Sequence, residues 1–309
     1  MNRVSTSGTY QSALLNLMTA QNRQDDAQTR VSTQKNATDM VGFGRGAESL
    51  TTLKAATSRV QAFLDTGEAV AARLETQDQA LNQVNDGITA ARSAIGDVLA
   101  SESANVLMLE LQGQFQSIQN GLNTQHQGAY LFAGGNTDQP PVNVSTLAQL
   151  AAATDVASTF DNDTLTPTSR LGESRSVQTG YLASDVGAAV FQIFRDIQAY
   201  NDDPATGPLT GKPTDAQKTF LTAQLSRLDA VGSDTVEIVA RNGSLAKQVE
   251  ATNTSHAGQI ESLNTMVSSK TDADLAKAVT DLQLSQVAVQ ASAQVLSRLN
   301  ESSLLNYLR

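Results

Sequence analysis

Cysteine is absent from all 309 residues, which excludes disulfides, thiolate metal sites and cysteine nucleophiles. Tryptophan is absent too, and eight Phe with five Tyr make aromatics only 4% of the chain. A compact enzyme core of this length ordinarily draws on more aromatic bulk. A slender helical bundle, only a few side chains wide, does not need it. No apolar run approaches 18 residues, so no segment reads as a membrane-spanning helix. Residues 1–10 are polar, and the apolar stretch at 14–18 is too short and interrupted to be the core of a cleaved signal. Positive charge is scarce: Lys and Arg number 21 against 31 Asp and Glu, a net of −10 with no basic patch. Nucleic acid and membrane surfaces are therefore not expected partners.

Catalytic chemistry is equally thin. The two histidines, His126 and His256, have no cysteine or metal-spaced carboxylate near them in sequence. Asp25 and Asp26 are adjacent on a helical stretch, so they point apart and make a poor acid/base pair. Asp161 and Asp163 lack EF-hand spacing and read as a turn. Gly42, Gly44 and Gly46 lack the preceding strand and the Lys-Ser/Thr of a phosphate loop, and read as a hinge. There is no G-x-S-x-G nucleophile motif. No enzyme activity, cofactor or metal is expected.

What the chain has is heptads. The C-terminal 35 residues carry Leu275, Leu282, Val289 and Leu296 at intervals of seven, with a second row at Val279, Gln286, Ala293 and Asn300. A more polar counterpart near the N-terminus runs Leu14, Leu17, Gln21, Gln24, Gln28, Val31 and Lys35. Such spacing draws a stripe along one face of a helix. Stripes at both ends of a chain need a cover, either each other or a neighbouring copy. The longest row is Leu53, Val60, Gly67, Leu74, Leu81, Ile88 and Ile95, flanked by Ala56, Phe63, Val70, Gln77, Val84, Ala91 and Val98. At 1.5 Å per residue this is a helix roughly 70 Å long. Gly67 and Gln77 fall inside its stripe and mark bends or polar layers.

A second helix follows over Met108, Leu111, Phe115, Ile118 and Leu122, and residues 130–135 read as a strand entering a turn. The stretch from about 142 to 182 has no helical period, with Ser176–Tyr181 strand-like. Helix returns with Val186, Val190, Phe191, Phe194 and Ile197, and again after Thr214, an N-cap candidate. Asn242-Gly243 is a candidate interruption of that last helix. Thr271 with Asp274 resembles a capping-box start for the final ladder. The expected fold is mainly α with a small β part: long antiparallel helices, terminal helices pairing as a coiled coil, and a short β-rich insertion. The expected division is a terminal coiled-coil domain over 1–45 plus 270–309, a central bundle over 46–135 plus 183–269, and the insertion over 136–182.

Four segments together resemble one family. Val4-Ser5-Thr6-Ser7-Gly8-Thr9-Tyr10 is similar to the S-T-x-x-x-Y opening of the flagellar hook-associated proteins at the hook–filament junction. Arg30-Val31-Ser32-Thr33-Gln34-Lys35 resembles their S-T-G-K segment, shared with flagellins. Gly128–Asp138 with Pro140-Pro141 is similar to their Y-[IL]-F-[AG]-G-x-x-T-[DE] entry. The C-terminus, ending Ser303-Leu304-Leu305-Asn306-Tyr307-Leu308-Arg309, resembles theirs as well. One departure is Thr38–Gly44, which stands where relatives carry S-D-D-P or K-D-D-A.

The resemblance implies a flagellin-like axial component of the bacterial flagellum, outside the cell, exported without a cleaved signal. It implies terminal segments that are disordered in the monomer and order on assembly. A polar N-terminal stripe fits this, because it cannot alone offset its ordering entropy. Implied partners are further copies of the chain in a ring or helical layer, another hook-associated protein, flagellin, and an export chaperone. The candidate assembly residues are Leu14, Leu17, Val31, Leu275, Leu282, Val289 and Leu296. Of these, Leu282, Val289 and Leu296 are also the candidate chaperone contact. The alternatives are a flagellin-type filament subunit and an unrelated coiled-coil interaction module.

Overall fold

The apolar rows of seven become helices, and the glycine and proline clusters between them become turns. The computed structural model describes residues 3–305, with side-chain surroundings for 8–301. Among these residues the helices are α1 (Arg3–Thr33), α2 (Ala47–Ser101), α3 (Leu107–Leu122), α4 (Leu147–Ala152), α5 (Ala183–Asp202), α6 (Asp215–Thr271) and α7 (Leu275–Leu305). The strands are β1 (Gln125–His126), β2 (Ala129–Tyr130), β3 (Thr168–Arg170) and β4 (Ser176–Gln178), forming two separate antiparallel hairpins. The ending Tyr307-Leu308-Arg309 lies outside the described residues, as do the side chains of Val4-Ser5-Thr6-Ser7. The chain divides into a terminal unit, residues 1–59 with 259–309, and a central unit, residues 60–258.

In the central unit the core joins α2, α3, α5 and α6. Leu81, Val84, Ile88 and Ile95 of α2 meet Leu107, Leu111, Phe115 and Ile118 of α3, Val190, Phe191 and Phe194 of α5, and Leu221 and Leu228 of α6. The few aromatics are concentrated here. Phe115 lies 4.9 Å from Phe191 and 5.8 Å from Phe194 between ring centroids, and Phe160 lies 5.0 Å from Phe191. Two glycines let α2 and α3 approach closely. A Cβ at Gly121 would meet Val84 and the Ala80 carbonyl at 3.0 and 3.1 Å, and one at Gly87 would press on Ile118.

The one polar member of the α2 rows, Gln77, is held through its amide Nε2. Gln77 is fully buried and donates through Nε2 to Asn242 Oδ1 at 2.8 Å, while Asn242 donates to the Leu74 carbonyl at 3.1 Å. Asn242-Gly243 therefore does not interrupt α6. Its side chain is held inside, and the helix runs unbroken for 57 residues. Thr214 caps α6 as expected: its Oγ1 accepts from Gln217 N–H at 3.3 Å, and Gln217 Oε1 accepts from Thr214 N–H at 2.9 Å. This is a reciprocal capping box with Gln as partner.

Three details correct the sequence expectation. Thr271 is the last residue of α6, and Asp274 itself caps α7, accepting from Lys277 N–H at 3.1 Å. The strand expected over 130–135 ends at Tyr130, and Leu131, Phe132 and Ala133 are instead buried in a turn. It belongs to a hairpin whose loop residues, Gln127 and Gly128, both have positive φ (53° and 84°). That pair of angles is the mark of a tight two-residue turn. Residues 136–182 carry the β3–β4 hairpin together with α4, and Val142, Leu147 and Leu150 join the main core.

Candidate assembly surface

Helices α1 and α7 pack side by side in the terminal unit and run antiparallel, since the end of α1 lies beside the start of α7. Their seam is built from small residues. Ala13, Ala20 and Ala27 are buried on α1, and Ala278 and Ser285 on α7, with Ser292 half-buried next in the series. Leu17, Gln24 and Val31 flank the seam on α1, and Leu282, Val289 and Leu296 flank it on α7, all half-buried. Small side chains at the contact let two helices lie close.

The sequence-predicted residues therefore divide. Leu17, Val31, Leu282, Val289 and Leu296 do border the seam, whereas Leu14 and Leu275 are exposed at 41% and 43%. One of the two expected rows on each helix is off by one position. Ala13, Ala20 and Ala27 replace Leu14, Gln21 and Gln28, and Ala278, Ser285 and Ser292 replace Val279, Gln286 and Ala293. The signal was present as a strict seven-residue recurrence of Ala and Ser. Weighing side chains by bulk passes over it.

A short clamp fixes the two helices at their joined ends. Gln34, with φ 56°, ends α1 in the left-handed region where the resembling S-T-G-K segment has glycine. Asn36 N–H donates to the Thr271 carbonyl at 2.7 Å, and Ala273 N–H to the Gln34 carbonyl at 2.9 Å. Lys35 Nζ pairs with Asp272 Oδ1 at 2.5 Å. That contact, with hydroxyls of Ser268 and Thr271, holds the Asp272 carboxyl at a pKa of about 2. Beyond the clamp the departing Thr38–Gly44 segment turns tightly, with Asp39 Oδ1 accepting from Gly42 N–H at 2.8 Å.

The outer faces of the pair carry large apolar side chains exposed among polar ones. Tyr10, Leu14, Leu15 and Met18 are exposed on α1, and Leu275, Val279, Leu284, Val287 and Val295 on α7. Leu284 and Val287 stand 64% and 63% open. Twelve of the sixteen large apolar side chains left exposed among the described residues belong to the terminal unit, which holds little more than a third of the chain. A concentration of this kind marks an interaction surface. Between the helices on one side runs a groove of about 670 Å³, walled by Arg23, Asp26, Arg30, Asp281 and Leu284 among others.

The histidines and Asp163 have structural partners. His126 Nδ1 bonds the Thr76 hydroxyl at 2.9 Å, and His256 Nε2 bonds the Leu171 carbonyl at 2.8 Å while its ring stacks on Phe63. Asp163 shapes a turn: its Oδ1 accepts from Gly135 and Leu165 N–H at 2.9 and 2.7 Å, which lowers its pKa. Among the described residues no three His, Asp or Glu side chains gather as metal ligands, and no helix is long and apolar enough to cross a membrane.

Long helices and a terminal helix pair joined along small residues define a mainly helical protein with a flagellin-like fold. The family model for the bacterial flagellin C-terminal helical region matches residues 225–308. Among solved structures, a Vibrio parahaemolyticus protein assigned as flagellar hook-associated superposes with a TM-score of 0.60 at 14% identity, covering 76% of this chain and 99% of that one. Bacillus cereus FlgL superposes with a TM-score of 0.54, also at 14% identity, covering 71% and 98%. No curated protein sequence matches the chain. At this identity the likeness establishes the fold.

Proposed function

We propose that this chain is a non-enzymatic structural component of the bacterial flagellum, forming an adaptor layer at the hook–filament junction. The observation that carries the reading is the set of large apolar side chains left exposed on the α1–α7 pair. In this fold a terminal helix pair open on its outer faces is suited to burial among copies of itself and against other axial proteins. The partners proposed are further copies in a ring or helical layer, another hook-associated protein on one side and flagellin on the other. The place of action is the flagellum outside the cell, reached through the flagellar export route. Leu282, Val289 and Leu296 are half-buried against α1 once the pair forms. An export chaperone would therefore engage them before pairing. A flagellin-type filament subunit is the second reading, favoured by the match of residues 225–308 to the flagellin family.

Deleting the gene, imaging the cells by electron microscopy and assaying flagellin in the medium separates these readings. Bare hooks with flagellin lost to the medium are expected. Persisting but shortened filaments would favour the filament subunit, and unchanged flagella would reject both.

A further inference from the structure

Arg73 stands on α2 in one row with Thr66, Ala69 and Val70, beside the β1–β2 hairpin, all within the central unit. Its guanidinium has no carboxylate partner among the described residues. Its hydrogen bond is a long donation from Nη2 to the Leu131 carbonyl at 3.4 Å, and its Nε–H is enclosed without an acceptor. Burial lowers its pKa, as for a cation partly removed from water and given no counter-charge. Leaving such a charge uncompensated is costly, and a carboxylate is the group that matches a planar guanidinium fork.

The space in front of Arg73 is ready for one. A cleft of about 420 Å³ is walled by Arg73, His126, Tyr130, Thr137 and Ser169, with Val70 as apolar floor. No Asp or Glu lines it, although the chain carries ten more acids than bases. Three other clefts each hold a carboxylate: Asp26, Glu173 and Glu48 respectively. The Tyr130 and Thr137 hydroxyls make no hydrogen bond to the described protein and remain available as donors.

We propose that this cleft binds a carboxylate, held end-on by the Arg73 Nη hydrogens that the Leu131 carbonyl leaves free and by the Tyr130 and Thr137 hydroxyls. The site does not depend on the assembly reading. A free small carboxylate and the side chain of an acidic peptide share this chemistry.

The test follows the Arg73 Nε–H resonance of the full chain by nuclear magnetic resonance, assigned by its loss in Arg73→Lys. The signal is followed during titration with sodium acetate or tetraglutamate, each against sodium chloride at equal ionic strength. A saturable shift is expected, with binding weakened about three- to tenfold in Tyr130→Phe, as loss of one hydrogen bond predicts. Tighter saturation by tetraglutamate, per carboxylate, identifies a protein side chain as the occupant, and equal saturation identifies a free carboxylate. A shift that chloride reproduces, or one unchanged in Tyr130→Phe, overturns the proposal. A thermal melt of Arg73→Lys checks that the fold survives the assignment control.

Discussion

At the scale of single residues, two backbone and charge choices invite direct tests. Gln34 holds a left-handed conformation that costs a side chain about 1 kcal/mol relative to glycine. Gln34→Gly should therefore slow amide exchange in the last turn of α1, and faster exchange there would contradict this. Glu102 is exposed, and the hydrogen bonds from Lys212 and then Lys218, at 2.6 and 2.5 Å, hold its pKa at about 2, below its ordinary 4.5. A folded pKa below the unfolded one gives stability that is complete above about pH 4.5 and lost as pH falls toward 2. Thermal melts of the wild type and Glu102→Gln should differ at pH 6 and converge near pH 2. A gap that persists at pH 2 would assign the difference to something other than this ion pair.

At the scale of elements, the polar layer between α2 and α6 sets which turns face each other. Asn242→Ala leaves the buried Gln77 amide without its acceptor and should cost about 2 kcal/mol in denaturant unfolding. Replacing both residues by leucine should recover most of that loss, because no polar group is then left unpaired. In the terminal unit, Ala20→Leu should force α1 and α7 apart and lower the melting point of the pair, while Leu14→Ala, outside the seam, should not.

The same elements show what was legible beforehand. Helices α2, α3 and α5 followed directly from bulky apolar residues at seven-residue spacing, because in a core that bulk is what is buried. The α1–α7 seam was half legible. Leu17, Gln24 and Val31 border it with Leu282, Val289 and Leu296, as their spacing suggests, while Leu275 is exposed and the buried Ala and Ser positions lie one residue before the outward-facing ones that bulk or hydropathy selects. Asn242-Gly243 reads as a break by propensity, and tertiary hydrogen bonds override it. Arg73 carries no motif at all. Only the fold places it, without a counter-ion, at an acid-free cleft.

At the scale of the whole molecule, the chain buries its large apolar residues in the central unit and leaves most of the exposed ones in the terminal unit. Exposed Leu284 and Val287 separate folding from assembly better than half-buried Leu282 and Val289, whose replacement would also disturb the seam. The most direct measurement is therefore to replace the gene with one encoding Leu284→Asp and Val287→Asp, and to compare the purified variant with wild type by circular dichroism. An unchanged spectrum and melting point are expected, together with cells that carry bare hooks and release flagellin to the medium. Normal filaments on those cells, with the variant folded and present, would contradict this.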